Sequence, residues 1–534
     1  MIKRGLRLGD LDAETDSDLL SECFIDNGEL ELLQNTDKPE SLIIGRTGAG
    51  KSALLMKIAE IEAKSKILDP HDISVRFLEH SDVIQFFQNL GVNLDLFYRL
   101  LWRHVLTIEF LKIRYDLKCE DDSKTVWRTL TSLVERDEVK KQALSYFKEW
   151  GGKFWLETDQ QVKEITEKLS RDIKAGFDSN LSDVNISLEG SKLLSQERKS
   201  EIVHRANKVV SEIQIKRLAG VLDLLEDKVF DDYQKKYFIL LDKLDEEWAD
   251  TETRYRFVRA LIEEIKTFRN IKSVKIIVSL RKDLLDTVYD KTRGAGFQQE
   301  KYESYLVPIH WSRDALKLMI ESRINEVFKR QYTKSGIKIS DIFPPPKKGG
   351  GVKAIDYILD RTLLRPRDVL QFSNECFALS IDKTKISWRS MYAAETNYSE
   401  KRLNSMLEEW ESLYPALNTT IEVLRGAPSS FTRSFISDQL EVISSKLLDH
   451  LDDPCGSVIF KYLDSDSKTI GEFDVIAEIV SCLFRVGAIA IKTSKTTPYI
   501  WSDFDNATLS KSQVKRVEHI KVHKMLHNTL GIAS

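Results

Sequence analysis

The chain has 534 residues, enough for about two to four domains with their own hydrophobic cores. Hydrophobic residues make up 42% and charged residues 31%, as in a helix-rich globular protein, and a net charge of −4 excludes nucleic-acid binding by a uniformly basic surface. Five scattered cysteines without CxxC spacing favour a reduced, cytoplasmic protein, and no apolar run is long enough to suggest a membrane partner.

The first informative stretch, Ser41–Ile61, follows a short lead-in of residues 1–40. It combines an apolar strand, a glycine-rich turn and a helix whose apolar residues share one face. The turn matches G-x-x-x-x-G-K-[ST], the phosphate-binding loop. The predicted nucleotide-binding residues are Gly45, Arg46, Thr47, Gly48, Ala49, Gly50, Lys51, Ser52 and Ala53.

Each residue type in this loop has a chemical reason. The three glycines, Gly45, Gly48 and Gly50, allow backbone conformations that a Cβ disfavours, so successive N–H groups can surround an anion. The following helix directs its positive dipole end to the same point. Lys51 adds a charge for the β- and γ-phosphates, and the Ser52 hydroxyl is a ligand for Mg²⁺. The sequence therefore predicts ATP and Mg²⁺ as cofactors.

After the loop, Ile73–Glu79 is a plausible second strand of a parallel α/β sheet. From about residue 82 to 235 the apolar spacing is helical, which predicts a large helical insertion. Within it, Gly176–Glu197 is polar and predicts a loop. An aromatic cluster is interpreted as the core of this insertion rather than a stacking surface for bases, because its members have helical spacing. These aromatic residues are Tyr146, Phe147, Trp150, Phe154 and Trp155.

The sheet returns at Lys236–Leu241, where continuous apolar character indicates a strand buried on both faces. Asp242 follows directly, at the position where a P-loop enzyme has a second Mg²⁺-holding carboxylate. Asp245 or Glu246 would orient or deprotonate the attacking water, and the sequence does not separate the two. The alternative is a strand followed by an acidic, solvated loop.

Another buried strand, Val274–Leu280, ends at Arg281. A cation at the carboxyl edge of a neighbouring strand can stabilise charge on the γ-phosphate, so Arg281 is a candidate catalytic residue. The alternative is that Arg281 pairs with Asp283 or another acidic neighbour. Tyr305–Trp311 is the last candidate strand of this core.

Residues 312–411 have a helical pattern, interrupted by an exposed loop at Pro344–Gly351. Pro366 can begin a helix, which places Arg365 and Arg367 at its start. Either arginine could contact a nucleotide from a helical lid. The alternative is a pair of arginines bound to Asp360 or Asp368.

Residues 412–534 have their own pattern of helices followed by two short strands, Gly487–Ile491 and Pro498–Trp501, around a lysine-bearing turn. This order is typical of a winged helix, which could contact DNA. The favoured interpretation is an intrachain packing domain with a solvated basic face, because such domains often serve protein contacts. His519, His523 and His527 would share one helix face, where a metal site is a minor alternative. The basic residues of the tail are Lys511, Lys515, Arg516, Lys521 and Lys524.

The loop Gly45–Ser52, the run Asp242–Glu246, the strand end Leu280–Asp283 and the helix start Arg365–Asp368 occur here in one order. In this order the chain resembles a bacterial family of P-loop ATPases (FunZ-like), named after a cyanobacterial open reading frame, over nearly its whole length. It is more distantly similar to STAND and AAA+ ATPases. It departs from them at Lys243, where they usually have Gly, and in the helical insertion before Asp242.

The resemblance implies an ATPase module, a helical lid and a winged-helix domain. It implies that Lys51 contacts the phosphates, that Ser52 and Asp242 hold Mg²⁺, and that Asp245 or Glu246 orients the water. Arg281 would be the sensor at the strand end, and the lid sensor would be Arg365 or Arg367.

The expected fold class is α/β, with a parallel-sheet P-loop NTPase core, a large helical insertion, a helical lid and a C-terminal winged-helix-like domain. The expected boundaries are residues 1–40, 41–311 (insertion about 82–235), 312–411 and 412–534. The expected function is Mg²⁺-dependent ATP hydrolysis in a switch or motor, acting as a homo-oligomer or with a protein partner in DNA-linked or anti-phage defence processes. The alternative is a STAND-like scaffold that holds ATP or ADP with little turnover; a small-molecule kinase is a weaker third interpretation.

Overall fold

The computed structural model describes residues 1–69, 82–92, 94–134, 141–174, 196–209, 216–244, 251–292, 299–331, 336–346, 351–464, 470–494, 496–502 and 509–533. The chain divides into two compact units. The sheet unit comprises Gly28–Arg46 and Lys51–Ile309, and the helical unit comprises Met1–Asn27, Thr47–Gly50 and His310–Ser534. The middle of the glycine-rich loop, Thr47–Gly50, therefore belongs by its contacts to the helical unit.

The sheet unit is built on five parallel strands in the order β2-β3-β4-β1-β5. The central strands are apolar and buried on both faces, as expected of a parallel sheet covered by helices. The strands are β1 (Leu42–Gly45), β2 (Ser65–Leu68), β3 (Tyr237–Leu241), β4 (Val274–Arg281) and β5 (Leu306–Pro308).

Three of these strands confirm the sequence predictions, and two differ. The second strand is Ser65–Leu68, whose one buried residue gives a weak apolar signal, and the predicted strand Ile73–Glu79 lies outside the described residues. The last strand is shorter than predicted, because only Leu306–Pro308 pairs with β1.

The helices of the sheet unit cover the sheet and fill the long interval between β2 and β3, as the helical spacing predicts. Of the predicted loop Gly176–Glu197, residues 176–195 lie outside the described residues, and Gln196 begins a helix. In chain order, after α1 (Ser17–Glu22) of the helical unit, the helices are α2 (Glu29–Gln34), α3 (Lys51–Ile61), α4 (Asp82–Asn89), α5 (Leu94–Tyr115), α6 (Glu120–Val134), α7 (Lys141–Trp150), α8 (Thr158–Lys174), α9 (Gln196–Lys208), α10 (Lys216–Leu224), α11 (Thr251–Phe268) and α12 (Lys282–Lys291).

The core of the sheet unit is centred on α5, which is buried on nearly all sides from Leu94 to Leu111. Trp102 of this helix donates a hydrogen bond to the carbonyl of Phe257 in α11, at 3.0 Å. The aromatic cluster of the insertion is confirmed as core, because all but one of its members are buried. The buried members are Tyr146, Phe147, Trp150 and Phe154.

The helical unit has a second core to which the N-terminal residues Ile2, Leu6 and Leu8 contribute. In the predicted loop Pro344–Gly351, the described residues are neither helix nor strand. Across the described part of the chain, no helix is both long and apolar enough to cross a lipid bilayer. The helices are α13 (Arg313–Gln331), α14 (Ile339–Ile342), α15 (Ala354–Leu359), α16 (Pro366–Ala378), α17 (Trp388–Trp410), α18 (Leu417–Ile421), α19 (Ser434–Leu447), α20 (Pro454–Leu463), α21 (Glu472–Arg485) and α22 (Lys511–Lys515).

A four-stranded antiparallel sheet in the order β6-β9-β7-β8 completes the helical unit. The two predicted strands pair as β7 and β8, while β6 and β9 were not predicted. The predicted helix through His519, His523 and His527 is wrong. His519 lies in a strand that pairs with β7, and the other two histidines flank one short 3-10 turn, Lys524–Leu526. The strands are β6 (Ser430–Phe431), β7 (Ile489–Lys492), β8 (Ile500–Trp501) and β9 (His519–Val522).

Candidate functional site

The glycine-rich loop runs from the end of β1 to the start of α3. Gly48 and Gly50 have φ angles of +76° and +98°, in the left-handed region that side chains with a Cβ rarely adopt. Gly45 ends the buried strand and is not among the glycines with positive φ. Two of the three glycines of the loop are therefore explained by backbone conformation.

Lys51 is the first residue of α3 and folds back over the loop. Its Nζ atom donates hydrogen bonds to the carbonyls of Gly45 and Arg46, each at 3.2 Å, and the residue is only 8% exposed. Ser52 is half-buried in the first turn of the same helix. A buried cation and a hydroxyl thus lie at the point where the strand–loop–helix chain reverses direction.

Asp242 lies directly after β3, at the carboxyl edge of the sheet. Its Oδ1 accepts hydrogen bonds from the Ser279 hydroxyl and from the backbone N–H of Lys243. The strand register explains the first contact. Leu241 of β3 pairs with Val278 of β4, so the next residues of the two segments, Asp242 and Ser279, are neighbours. Among the described residues, the hydrogen bonds of the Asp242 carboxylate all go to Oδ1, so Oδ2 is open to a further ligand.

The turn after Asp242 depends on an unusual backbone conformation. Lys243 has a φ angle of +59°, the conformation for which glycine is the favoured residue. Its Nζ lies 3.8 Å from Asp69, a loose ion pair between partly exposed side chains. A lysine thus occupies a backbone conformation at position 243 that glycine adopts more readily. Asp245 and Glu246 lie outside the described residues.

Arg281 ends β4 and is level with Gly45 in the strand register. Its guanidinium makes a bidentate contact with the Asp283 carboxylate, at 3.0 and 2.7 Å. The pairing that the sequence left as an alternative is therefore present. It leaves the arginine at the sheet edge where the glycine-rich loop begins.

In the helical unit, the loop residues Thr47, Gly48 and Ala49 each offer a carbonyl to a donor. Arg365 Nη1 donates to Thr47 O at 2.7 Å, and Trp311 Nε1 donates to Ala49 O at 2.8 Å. The backbone N–H of Arg367 makes a longer contact of 3.4 Å with Gly48 O. Three consecutive carbonyls of the loop thus have donors, two of which lie at the start of α16.

Arg365 is 4% exposed and lies in a cluster of buried charges. Its Nε and Nη2 each contact Asp368 at 3.2 Å, and Nη1 also lies 3.4 Å from Glu409. A second cation, Arg402, donates to Glu409 at 3.1 Å. Burial alone would lower the pKa of Arg365, but the two carboxylates raise it above its ordinary value. Burial alone would raise the pKa of Asp368, but the two arginines hold it below its ordinary value.

The side chain of Arg367 runs along the loop and ends on the N-terminal segment. Its Nε donates to the carbonyl of Leu11 at 3.1 Å. A Cβ added to Gly48 would lie 2.7 Å from Arg367 Cβ, closer than real contacts allow. Burial, followed by the charge of Arg365, lowers the pKa of Arg367 below its ordinary value. The glycine at position 48 is therefore required by this close approach as well as by its φ angle.

The basic residues of the tail are partly engaged with the rest of the helical unit. Lys511 contacts Asp474 at 3.0 Å, and Lys524 contacts Asp360 at 2.8 Å. Lys521 of β9 lies over the Tyr499 ring, together with Lys492 of β7. The predicted cations therefore do not form one continuous free patch.

The structure gives no support to a histidine metal site. His523 is buried, its pKa is lowered to about 3 by burial, and its Nδ1 accepts from the Met525 N–H. Within the described ranges, no group of three His, Cys, Asp or Glu side chains could hold a metal ion.

Sequence reasoning missed Ser279, Trp311 and Glu409. Ser279 was one of two polar residues, with Lys275, in an otherwise apolar strand, and this was the one signal that could have pointed to it. Trp311 was assigned to a strand. Glu409 lies in an acidic run of α17, far along the chain from the arginine that it contacts, and nothing in the sequence distinguishes it from its neighbour Glu408.

Comparison with known proteins finds one matching family model and one relative. A family model for a FunZ-associated C-terminal helical domain matches residues 314–407, and this match supports a FunZ-like family. A putative transposon gamma-delta 80.3 kDa protein of Escherichia coli (strain K12) is 23% identical over 507 residues, which cover 92% of this chain and 62% of that protein. The chain thus spans about three fifths of the length of this curated relative. No solved structure matches.

Proposed function

We propose that this chain binds ATP with Mg²⁺ at the loop Gly45–Ser52 and hydrolyses it, as a P-loop ATPase that acts as a nucleotide-controlled switch or motor. The observation that carries the proposal is the loop itself. A buried strand leads into two glycines at positive φ, and a buried lysine amine lies on the loop carbonyls. A cation beside backbone N–H groups at a helix start suits the phosphates of a nucleotide.

The donor set of the sheet edge suits Mg²⁺. Asp242 offers a carboxylate whose Oδ1 is fixed by Ser279 and whose Oδ2 is open among the described residues. The Ser52 hydroxyl would be the second oxygen ligand from the protein. Mg²⁺, when bound, would neutralise charge on the β- and γ-phosphates.

The remaining roles are argued from sequence position for Asp245 and Glu246 and from the strand register for Arg281. Asp245 or Glu246, shortly after Asp242, would orient or deprotonate the attacking water. Arg281, held by Asp283 and level with Gly45 in the register, would stabilise charge that develops on the γ-phosphate.

Phosphate release from ATP tests the hydrolytic part of the proposal. The variant Asp242→Asn keeps an acceptor for Ser279 but removes the charge, so we expect a rate at least about 100-fold lower. Asp223→Asn, an exposed carboxylate on α10, is the matched control and should hydrolyse ATP at the wild-type rate. Equal rates in wild type and Asp242→Asn would contradict the proposal.

A scaffold with little turnover is a second candidate function, because the middle of the loop is contacted by the helical unit. Such a contact would let nucleotide state alter the helical unit without hydrolysis. Nucleotide retained through purification, with an oligomeric state that differs between ADP and ATP by light scattering, would favour it. Rapid turnover with no such difference would favour the hydrolase.

A role on DNA is a further part of the proposal. Helix α21 followed by the β7–β8 hairpin has the order of a winged helix, and Lys492 and Lys521 flank an aromatic ring beside it. The name of the Escherichia coli relative also refers to a transposon. Duplex DNA should bind more weakly as salt rises, and the double variant Lys492→Ala, Lys521→Ala should bind it more weakly still. Identical binding by the variant would exclude this surface.

A further inference from the structure

Three consecutive carbonyls of the loop have donors from the helical unit. The donors are Arg365 Nη1 for Thr47 O, Arg367 N–H for Gly48 O and Trp311 Nε1 for Ala49 O, at 2.7, 3.4 and 2.8 Å. We call these three contacts the carbonyl clamp. Since backbone carbonyls on most loops face water, three in a row with protein donors indicate that their orientation is fixed.

Fixing a carbonyl also fixes an N–H group. In a planar trans peptide, the C=O of one residue and the N–H of the next point in opposite directions. The carbonyls of Thr47, Gly48 and Ala49 therefore set the directions of the N–H groups of Gly48, Ala49 and Gly50. These N–H groups belong to the part of a phosphate loop that surrounds the α- and β-phosphates.

The guanidinium of Arg365 is fully engaged in these contacts. Its Nε and Nη2 atoms donate to Asp368, while Nη1 contacts both Thr47 O and the Glu409 carboxylate. The residue is 4% exposed, so reaching a γ-phosphate directly would require breaking a buried ion pair. The contacts of Arg365 therefore favour an indirect effect on nucleotide binding, through the backbone of the loop.

The close approach of Arg367 to the loop supports the same conclusion. There is no room for a Cβ on Gly48 beside Arg367, and the Arg367 side chain is itself held by Leu11 O. The loop backbone and the start of α16 thus fit each other at side-chain as well as main-chain level.

We infer that Arg365, Trp311 and the Arg367 N–H are positioning groups that hold the loop N–H groups in their anion-binding orientation. The carbonyl clamp makes nucleotide affinity a property of the helical unit as well as of the loop sequence. It affects ADP and ATP alike, because both carry the α- and β-phosphates. This differs from a sensor of the γ-phosphate, which would distinguish ATP from ADP. The inference rests on the proposed function for its ligand but not for its geometry.

The first experiment removes one donor. Trp311→Phe keeps an aromatic ring and loses the N–H, and Trp388→Phe is the matched control. Trp388 is also a half-buried tryptophan of the helical unit whose Nε1 donates to a carbonyl, that of Pro345, at 2.9 Å. Titration of the full chain with fluorescent ADP and ATP, with Mg²⁺, should show about three- to tenfold weaker binding of both nucleotides to Trp311→Phe. Trp388→Phe should bind within about twofold of wild type.

The second experiment needs no nucleotide. Hydrogen exchange of the loop peptide in nucleotide-free protein should be faster in Trp311→Phe than in Trp388→Phe or wild type. Arg365→Lys keeps the charge beside Asp368 and Glu409 but cannot reach three acceptors in one plane, so it should give the same two effects. Its control is Arg361→Lys, which alters the comparable contact with Glu395.

The outcomes separate the inference from the proposed function. If wild type binds neither ADP nor ATP, the proposed function fails, and loop exchange alone decides whether the clamp exists. If Trp311→Phe and Arg365→Lys weaken ATP but not ADP, or match their controls in both binding and loop exchange, the carbonyl clamp is overturned.

Discussion

Each unit of this protein has a cluster of buried charges, and the two clusters differ in what their arginines contact. In the sheet unit, Glu264 is fully buried and accepts from Arg103 at 2.7 and 3.0 Å and from Arg99 at 3.0 Å. Among the described residues, the Arg103 guanidinium hydrogen-bonds to this carboxylate alone. In the helical unit, Arg365 contacts its carboxylates and a loop carbonyl as well.

This difference shows that burial and charge pairing alone do not indicate function. Both clusters satisfy charges that would otherwise be costly in a core. The cluster around Arg365 additionally contacts the backbone of the glycine-rich loop, for which we propose a separate chemical task. An arginine that also donates to a carbonyl of a glycine-rich loop is therefore more informative about function than an arginine that contacts a carboxylate alone.

The largest expected effects come from removing one carboxylate of each cluster. Glu264→Gln and Asp368→Asn should each lower the free energy of unfolding by about 3–5 kcal/mol, because each leaves a buried arginine charge uncompensated. Only Asp368→Asn should also weaken nucleotide binding of the folded protein, since it frees the Arg365 guanidinium. Urea unfolding and nucleotide titration on the same samples check this. An equal loss of nucleotide affinity in both variants would remove the distinction between the clusters.

A pH series sharpens the comparison within the two cores. Burial lowers the pKa of His104 in the sheet unit and of His523 in the helical unit from 6.5 to about 3. The unfolded chain then binds protons that the folded chain does not, so stability falls as pH decreases from about 6.5 towards 3. The slope is at most about 1.4 kcal/mol per pH unit for each histidine.

His104→Phe tests this dependence in a site packed between Tyr146 and Trp150. Urea midpoints should change less with pH below 6.5 in this variant than in wild type. A variant that keeps the full wild-type slope would show that His104 is already protonated in the folded protein.

Glycine substitutions test the close approach at the loop. Gly48 and Gly28 both have positive φ, +76° and +100°, but only Gly48 has a neighbour within contact distance of an added Cβ. Gly28→Ala should cost roughly 1 kcal/mol from backbone strain alone. Gly48→Ala should cost at least about 1 kcal/mol more and weaken nucleotide binding, because Arg367 must move. Thermal unfolding of the pair provides the measurement, and equal costs would contradict the packing at Gly48.

The smallest effect is expected at the turn after Asp242. Lys243→Gly removes left-handed strain of roughly 1 kcal/mol and loses a partly exposed ion pair worth little, so it should be neutral or stabilising by up to about 1 kcal/mol. Lys243→Ala keeps the strain and loses the same ion pair, and should be less stable than Lys243→Gly. The reverse order in urea unfolding would show that the lysine side chain matters more than the backbone.

The central strands and the helical insertion could be predicted because their signals are local. Continuous apolar runs identified β1, β3 and β4, and helical spacing identified the insertion. By contrast, β2 has one buried residue, and β9 alternates around histidines that equally fit a helix face. Both elements are strands because they pair with neighbouring strands, and the sequence alone does not show which segments pair.

Part of the candidate site could be predicted for the same reason. Gly48, Gly50, Lys51 and Asp242 belong to contiguous motifs with fixed spacing. The contacts of Trp311 and Glu409 depend on residues brought together from distant parts of the chain, and Arg365 was predicted without its loop partner. Motifs thus identified the residues, while tertiary packing determined which atoms they contact.

The most direct test of the central claim is titration of the full chain with ATP and Mg²⁺ by calorimetry. Wild type should bind, Lys51→Ala should bind at least about 100-fold more weakly, and Lys57→Ala should match wild type. Lys57 lies on the same helix and forms an ion pair with the partly exposed carboxylate of Glu60, at 2.9 Å. Equal affinity of wild type and Lys51→Ala for ATP would contradict the assignment of this loop as the nucleotide site.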